Sequence, residues 1–96
     1  MDTSDVIDIL RKFKANFAEK YGIKTLGLFG SFARKQQKET SDVDVVVTLK
    51  EPDFFTIVAI QEELEKLTNS KVDVVNFRDS LRESFKKNIL KDAIFI

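Results

Sequence analysis

The stretch Leu26-Gly27-Leu28-Phe29-Gly30-Ser31-Phe32-Ala33-Arg34, then a polar run from Lys35 to Ser41, then Asp42-Val43-Asp44-Val45-Val46-Val47, decides how the rest of the chain is read. Its first part is an apolar run that stops at Gly30-Ser31, ahead of residues that favour helix. A strand therefore ends there and a helix begins with its first backbone N–H groups free, an arrangement that attracts anions and phosphate above all. A glycine before a helix is also common as mere structure, so the dipeptide draws its weight from its neighbours. The last part is a valine-rich strand with Asp42 and Asp44 two residues apart. The period of two sends both carboxylates to one face and Val43, Val45 and Val47 to the other. Like charges about 4 Å apart repel by roughly 4 kcal/mol at an effective dielectric near 20. Two carboxylates side by side at a strand start call for a cation, unless both sit on a solvated edge.

Asp73, in Lys71-Val72-Asp73-Val74-Val75, repeats the anomaly, because aspartate is disfavoured in a β-branched strand. Geometry follows from asking which strand ends must meet. Gly30-Ser31 lies at the end of the first strand and Asp42-Asp44 at the start of the second, so one site holding both requires antiparallel strands. Asp73 lies near the start of the third, which makes the second and third parallel. A helix of about fifteen residues between them is long enough for a right-handed crossover. The expected fold is a small α/β (α+β) domain with a mixed sheet, its helices covering one face or both.

Working outward, Val6, Ile9, Leu10, Phe13, Phe17 and Tyr21 recur at helical steps after a start near Thr3-Ser4-Asp5. Gly22 fits a C-terminal cap, which leaves Ile23 to Phe29 as the first strand. Gly27 within it marks either a close approach of another group or simple tolerance. A short helix runs from about Ser31 to Arg34, the Lys35–Ser41 run is surface loop, and the second strand spans Asp42 to Leu49. Pro52-Asp53 starts a helix with Ile57, Ile60, Leu64 and Leu67 on its apolar face and Glu62-Lys66 as an i,i+4 pair. Asn69-Ser70 turns into the strand Lys71 to Phe77. A last helix presents Leu81, Phe85 and Ile89, and Ala93 to Ile96 adds a short edge strand. Among the nine phenylalanines, Phe13, Phe17 and Phe85 fall on apolar stripes, whereas Phe32, Phe54, Phe55 and Phe95 do not obviously do so.

At 96 residues the chain is expected to be one domain, residues 1–96, that buries about two-thirds of its unfolded surface. Lys plus Arg equals Asp plus Glu at 16 each, so no overall positive field exists to draw in nucleic acid or an anionic membrane. Cysteine and histidine are both absent, which removes thiolates and imidazoles as ligands. Any metal must sit on oxygen, and this selects hard cations such as Mg²⁺ or Mn²⁺. No apolar run of ~18 residues and no leader pattern is present, so the cytoplasm is the expected compartment and no membrane partner is expected.

Gly30-Ser31-Phe32-Ala33-Arg34, Ser41-Asp42-Val43-Asp44 and the later Val72-Asp73-Val74 together resemble the minimal nucleotidyltransferases of the DNA polymerase β superfamily. That pattern is Gly-Ser, a spacer, Asp-x-Asp and a third carboxylate on another strand, and the resemblance spans nearly the whole chain. It implies a polymerase β-like fold and a nucleotidyltransferase that uses ATP as substrate. The outer phosphates of ATP would lie over Gly30 and Ser31, with Arg34 near them. Two Mg²⁺ ions would sit on Asp42 and Asp44, and Asp73 would hold the catalytic ion or receive the hydroxyl proton. One departure stands out: Lys35 occupies a position where many members carry glycine, which changes the loop rather than the ligands if that glycine supplies a positive φ.

Such proteins are commonly antitoxins of two-gene systems whose toxin is a helical HEPN ribonuclease, neutralised by transfer of AMP to a tyrosine, by binding, or by both. The resemblance therefore implies a HEPN-type partner in a hetero-oligomer. Two other classes stay open: an antitoxin that sequesters its partner without chemistry, and a transferase acting on small molecules such as aminoglycosides. The intact carboxylate set argues against the first, and the lack of room for a second domain against the second.

Overall fold

The computed structural model describes residues 1–96 and places every element in the expected order. Helix α1 spans Thr3–Tyr21, strand β1 Ile23–Phe29, the short helix α2 Gly30–Ala33 and strand β2 Val43–Leu49. Helix α3 spans Phe54–Thr68, strand β3 Val72–Asn76, helix α4 Glu83–Asp92 and strand β4 Ile94–Phe95. The start of α1 is capped one residue earlier than the sequence suggests. Asp2 accepts the Asp5 N–H at 2.9 Å while Asp5 accepts the Asp2 N–H at 3.0 Å, a reciprocal capping box. Gly22 ends the helix at φ 66°, the left-handed conformation glycine adopts freely. Asp53 caps α3, and Asn69 closes it at φ 52°.

The sheet order is β3-β2-β1-β4. Strand β1 is antiparallel to both β2 and β4, and β2 is parallel to β3 through the α3 crossover. The mixed α/β sheet deduced from the carboxylate positions is thus the observed one. Val43, Val45 and Val47 of β2 lie with Leu26 and Leu28 of β1 and Val72 of β3 on one face. Val6, Leu10 and Phe13 of α1 and Ile60 and Leu64 of α3 cover that face and complete the core. Fully burying one such side chain stabilises the fold by about 1.5–3 kcal/mol. Helix α4 stands apart from that layer, beside α2 and β1, with only Ile89 of its helical residues buried.

Three expectations need correction. Leu67 is 46% exposed, because the buried line on α3 runs through Ile60, Leu64 and Thr68, and Thr68 satisfies its hydroxyl on the Leu64 carbonyl at 2.8 Å. The proposed stripe on the last helix also fails, since Leu81 precedes α4 and Phe85 is 38% exposed. Glu62 and Lys66 form no ion pair. Both are exposed, where holding two long side chains together gains little against their lost entropy. No helix is long and apolar enough to cross a membrane.

Candidate active site

The site is built where β1 ends, β2 begins and β3 begins. Phe29 pairs with Asp44 across the antiparallel β1–β2 ladder, and Asp44 pairs with Asp73 across the parallel β2–β3 ladder. Alternation along β2 then puts Asp44 on the face away from the valines in the core. Asp42 lies just ahead of β2, half-buried, with Lys71 at 3.9 Å. The three carboxylates singled out in the sequence therefore gather at one end of the sheet, on adjacent strands.

Gly30 has φ 74°, and a Cβ there would run into the carboxylate of Asp44. Both facts require glycine, one through the backbone and one through space. Phe29 at the N-cap of α2 supplies no side-chain acceptor, so the first N–H groups of this turn lack a cap. Because α2 is only four residues long, its dipole is small, and anion binding would rest on the local N–H groups and the Ser31 hydroxyl. The turn itself is anchored from α1, where the buried Thr3 hydroxyl donates to the Phe32 carbonyl.

Burial raises the pKa of Asp44 above the ordinary carboxylate value, and the nearby charges of Asp73 and Asp42 raise it further, while Arg34 opposes them. This crowding of negative charge is what a divalent cation would relieve. The donors are all carboxylate oxygens, as Mg²⁺ and Mn²⁺ prefer. The side chains do not converge into a cage of three or more acidic groups around one point. The expected set of three metal-holding carboxylates, Asp42, Asp44 and Asp73, is therefore not formed as one group: Asp42 lies ahead of β2 and turns to Lys71, and Asp73 is exposed on β3.

Arg34, on the loop after α2, is held in place: its Nη1 donates to Asp92 Oδ2 at 2.8 Å and its Nε to Gln36 Oε1 at 3.2 Å. Lys35 and Lys38 are exposed. Lys35 adopts φ 59°, so the lysine accepts the left-handed conformation that glycine would take more cheaply. Asp42 and Asp44 are half-buried and Asp73 is exposed, so the carboxylates are reached from solvent at this end of the sheet. Beyond them on the same face, Gly27 is overlain by the Phe95 ring, which a Cβ at Gly27 would meet at 3.0 Å. That resolves the glycine in β1 as a close approach. Phe32 belongs to the core, whereas Phe54 and Phe55 are 74% and 79% exposed.

Residues 11–96 match the model of the polymerase beta nucleotidyltransferase family. The chain belongs to that family. It is 37% identical over 94 residues to a Methanocaldococcus jannaschii protein assigned by inference as a protein adenylyltransferase, covering 97% of this chain and 96% of the relative. It is 32% identical over 93 residues to the protein adenylyltransferase MntA of Thermococcus cleftensis, covering 96% and 93%. Among solved structures, a protein described as a minimal nucleotidyltransferase superposes with a TM-score of 0.80 at 26% identity, over 98% of this chain and 95% of that one. A toxin–antitoxin complex with AMP-PNP superposes at 0.71 with 21% identity, over 99% and 72%. A tri-AMPylated Shewanella oneidensis HEPN toxin bound to its MNT antitoxin superposes at 0.67 with 19% identity, over 99% and 71%. At those last two identities the likeness is one of fold. This nucleotidyltransferase accordingly has the fold and the enzyme class that its Gly-Ser and Asp-x-Asp residues suggest.

Sequence reasoning missed Asp92 and Thr3. Asp92 is 58 residues from Arg34 and lies in no motif. Thr3 reads as a helix-start residue, and only the packing of α1 on α2 gives its hydroxyl a second use.

Proposed function

We propose that this nucleotidyltransferase transfers AMP from ATP to a hydroxyl of a partner protein, and that the partner is a HEPN-type toxin which it neutralises as antitoxin. The observation that carries the reading is the meeting of Gly30, Asp44 and Asp73 at one end of the sheet. Relatives named protein adenylyltransferases, and folds shared with HEPN–MNT complexes, support the partner and the nucleotide.

In this reading the backbone of Gly30 and Ser31 receives the outer phosphates, which approach closely because residue 30 has no side chain. Arg34 neutralises charge building on the leaving pyrophosphate. Asp42 and Asp44 would hold Mg²⁺, which supplies charge neutralisation at the α-phosphate and aligns attacking and leaving oxygens. Asp73, exposed beside Asp44, accepts the proton of the incoming hydroxyl or completes the metal shell. The attacking oxygen forms the new bond to the α-phosphorus as the bond to pyrophosphate breaks.

The relatives named protein adenylyltransferases favour a protein acceptor over a small one. Co-expression with the neighbouring gene's product, followed by mass spectrometry of that product, tests the reading. The partner gains the mass of AMP with the wild type and gains none with Asp44→Asn, although it still binds. A partner that stays unmodified yet fully inhibited by both forms would replace transfer with sequestration.

A further inference from the structure

The contact between Arg34 and Asp92 joins the loop after α2 to the last residue of α4, at 2.8 Å. Local structure alone does not favour an acid there. The C-terminal end of a helix carries partial negative charge, so a carboxylate in its last turn is unfavourable by some tenths of a kcal/mol unless a cation answers it. Arg34 is that cation, and the pair is partly shielded, with the Asp92 side chain 20% exposed and that of Arg34 44% exposed.

A guanidinium has five N–H donors in one plane. Asp92 takes one at Nη1 and Gln36 takes the one at Nε, so two separate anchors fix the plane. Both hydrogens of Nη2 and one of Nη1 keep no protein partner. Arg34 also stands near enough to Asp44 to favour its ionised form. The guanidinium is therefore fixed in its plane, directly after the Gly30-Ser31 turn and α2, before any ligand arrives. Helix α4 is itself pinned, by buried Ile89 and by β4, whose Ile94 and Phe95 pair with Leu28 and Gly27 of β1. An anchor on α4 is accordingly a fixed point relative to the Gly30-Ser31 turn.

We propose that Asp92 is a positioning residue, which holds the Arg34 guanidinium at the Gly30-Ser31 turn so that its remaining N–H groups meet the outer phosphates of a nucleoside triphosphate. This rests on the reading of Gly30-Ser31 as the phosphate turn. Two anchors on one planar group reduce the freedom lost on binding, and that gain is specific to ligands with phosphates beyond the first. A purely structural ion pair would instead affect every ligand alike.

The test is the affinity for AMP-PNP and for AMP with Mg²⁺ present, measured by titration calorimetry on the wild type and on Gly30→Val, Arg34→Ala, Asp92→Asn, Asp92→Glu and the Arg34→Ala/Asp92→Asn pair. Arg34→Ala weakens AMP-PNP about tenfold, the scale of one charge-assisted contact. Asp92→Asn weakens it about three- to fivefold, Asp92→Glu recovers it to within about twofold, and the double variant is no weaker than Arg34→Ala alone. AMP binds the wild type and Asp92→Asn alike. Wild-type affinity of Asp92→Asn for AMP-PNP overturns the proposal, as does an equal loss for AMP or a full additional loss in the Arg34→Ala background. If Gly30→Val loses AMP-PNP while Asp92→Asn does not, only the positioning role falls. If Gly30→Val binds as the wild type does, the phosphate-turn reading falls and takes this role with it.

Discussion

Strand β2 presents two unlike surfaces from one heptapeptide. Val43, Val45 and Val47 are fully buried under α1 and α3, whereas Asp44 and, on the neighbouring strand, Asp73 face the other way. On the valine side the residues belong to one apolar core cluster, whose burial favours folding. On the aspartate side like charges crowd together and burial raises the Asp44 pKa, which is unfavourable to the unliganded fold. The valine face holds the strand rigid enough for the aspartate face to carry charge where a ligand can use it. The pleat thus puts core and charge one residue apart, and further along the Asp44 face Val46 is again buried, beside Gly27 and Phe95.

The sharpest break of this contrast comes from the carboxylates. Asp42→Asn and Asp44→Asn should each reduce nucleotide transfer to below about 1% of wild type, since each removes a proposed metal ligand. Far-ultraviolet circular dichroism should show both folded. Full transfer by both variants would refute the site.

Val45→Ala, one residue along, should do the opposite. It removes buried methyl groups under the helices and should cost about 2 kcal/mol of unfolding free energy in urea, with transfer per folded molecule changed less than about twofold. A large activity loss at full stability would mean that the two faces are not independent.

Gly30→Val sharpens the contrast at the turn. The new Cβ meets the Asp44 carboxylate and the backbone is held at φ 74°, so AMP-PNP affinity with Mg²⁺ should fall about tenfold or more.

The pH dependence of stability isolates the unfavourable side. Because the folded chain holds the Asp44 proton more tightly than the unfolded chain does, stability without metal falls as pH rises from the ordinary carboxylate value, about 3.9, toward the raised one, and stays reduced above it. Asp44→Asn removes that decline and should be at least as stable as wild type at pH 7. Urea midpoints across pH in the presence of a chelator measure this; a wild-type protein that gains relative to Asp44→Asn as pH rises through this window would contradict it.

The smallest expected effect is Lys35→Gly, which relieves a left-handed lysine and should stabilise by about 0.5–1 kcal/mol with transfer unchanged. A fall in stability would show that the lysine side chain contributes more than its backbone costs.

Much of this was legible without coordinates because it is local. The period of two fixes the faces of Val43 to Val47, the helical stripe fixes α1, and glycine at 22 and 30 marks the places where the backbone turns left-handed. The demand that three carboxylates and one turn share a site is enough to give the mixed sheet. Helix faces were read less well where a helix touches the core along only part of its length, as for Leu67 and Phe85.

The sequence by itself determined the order of elements, the alternation that turns Asp44 away from the core, and the family to which Gly30-Ser31 and Asp42-x-Asp44 belong. Only the tertiary structure decided that Asp44 and Asp73 stand in register across β2 and β3, that Phe95 overlies Gly27, and that Arg34 is held by Asp92. The physical reason is range. Periodicity and capping act over a few residues along the chain, whereas a strand register, a ring over a glycine and an ion pair spanning 58 positions depend on where packing places distant segments.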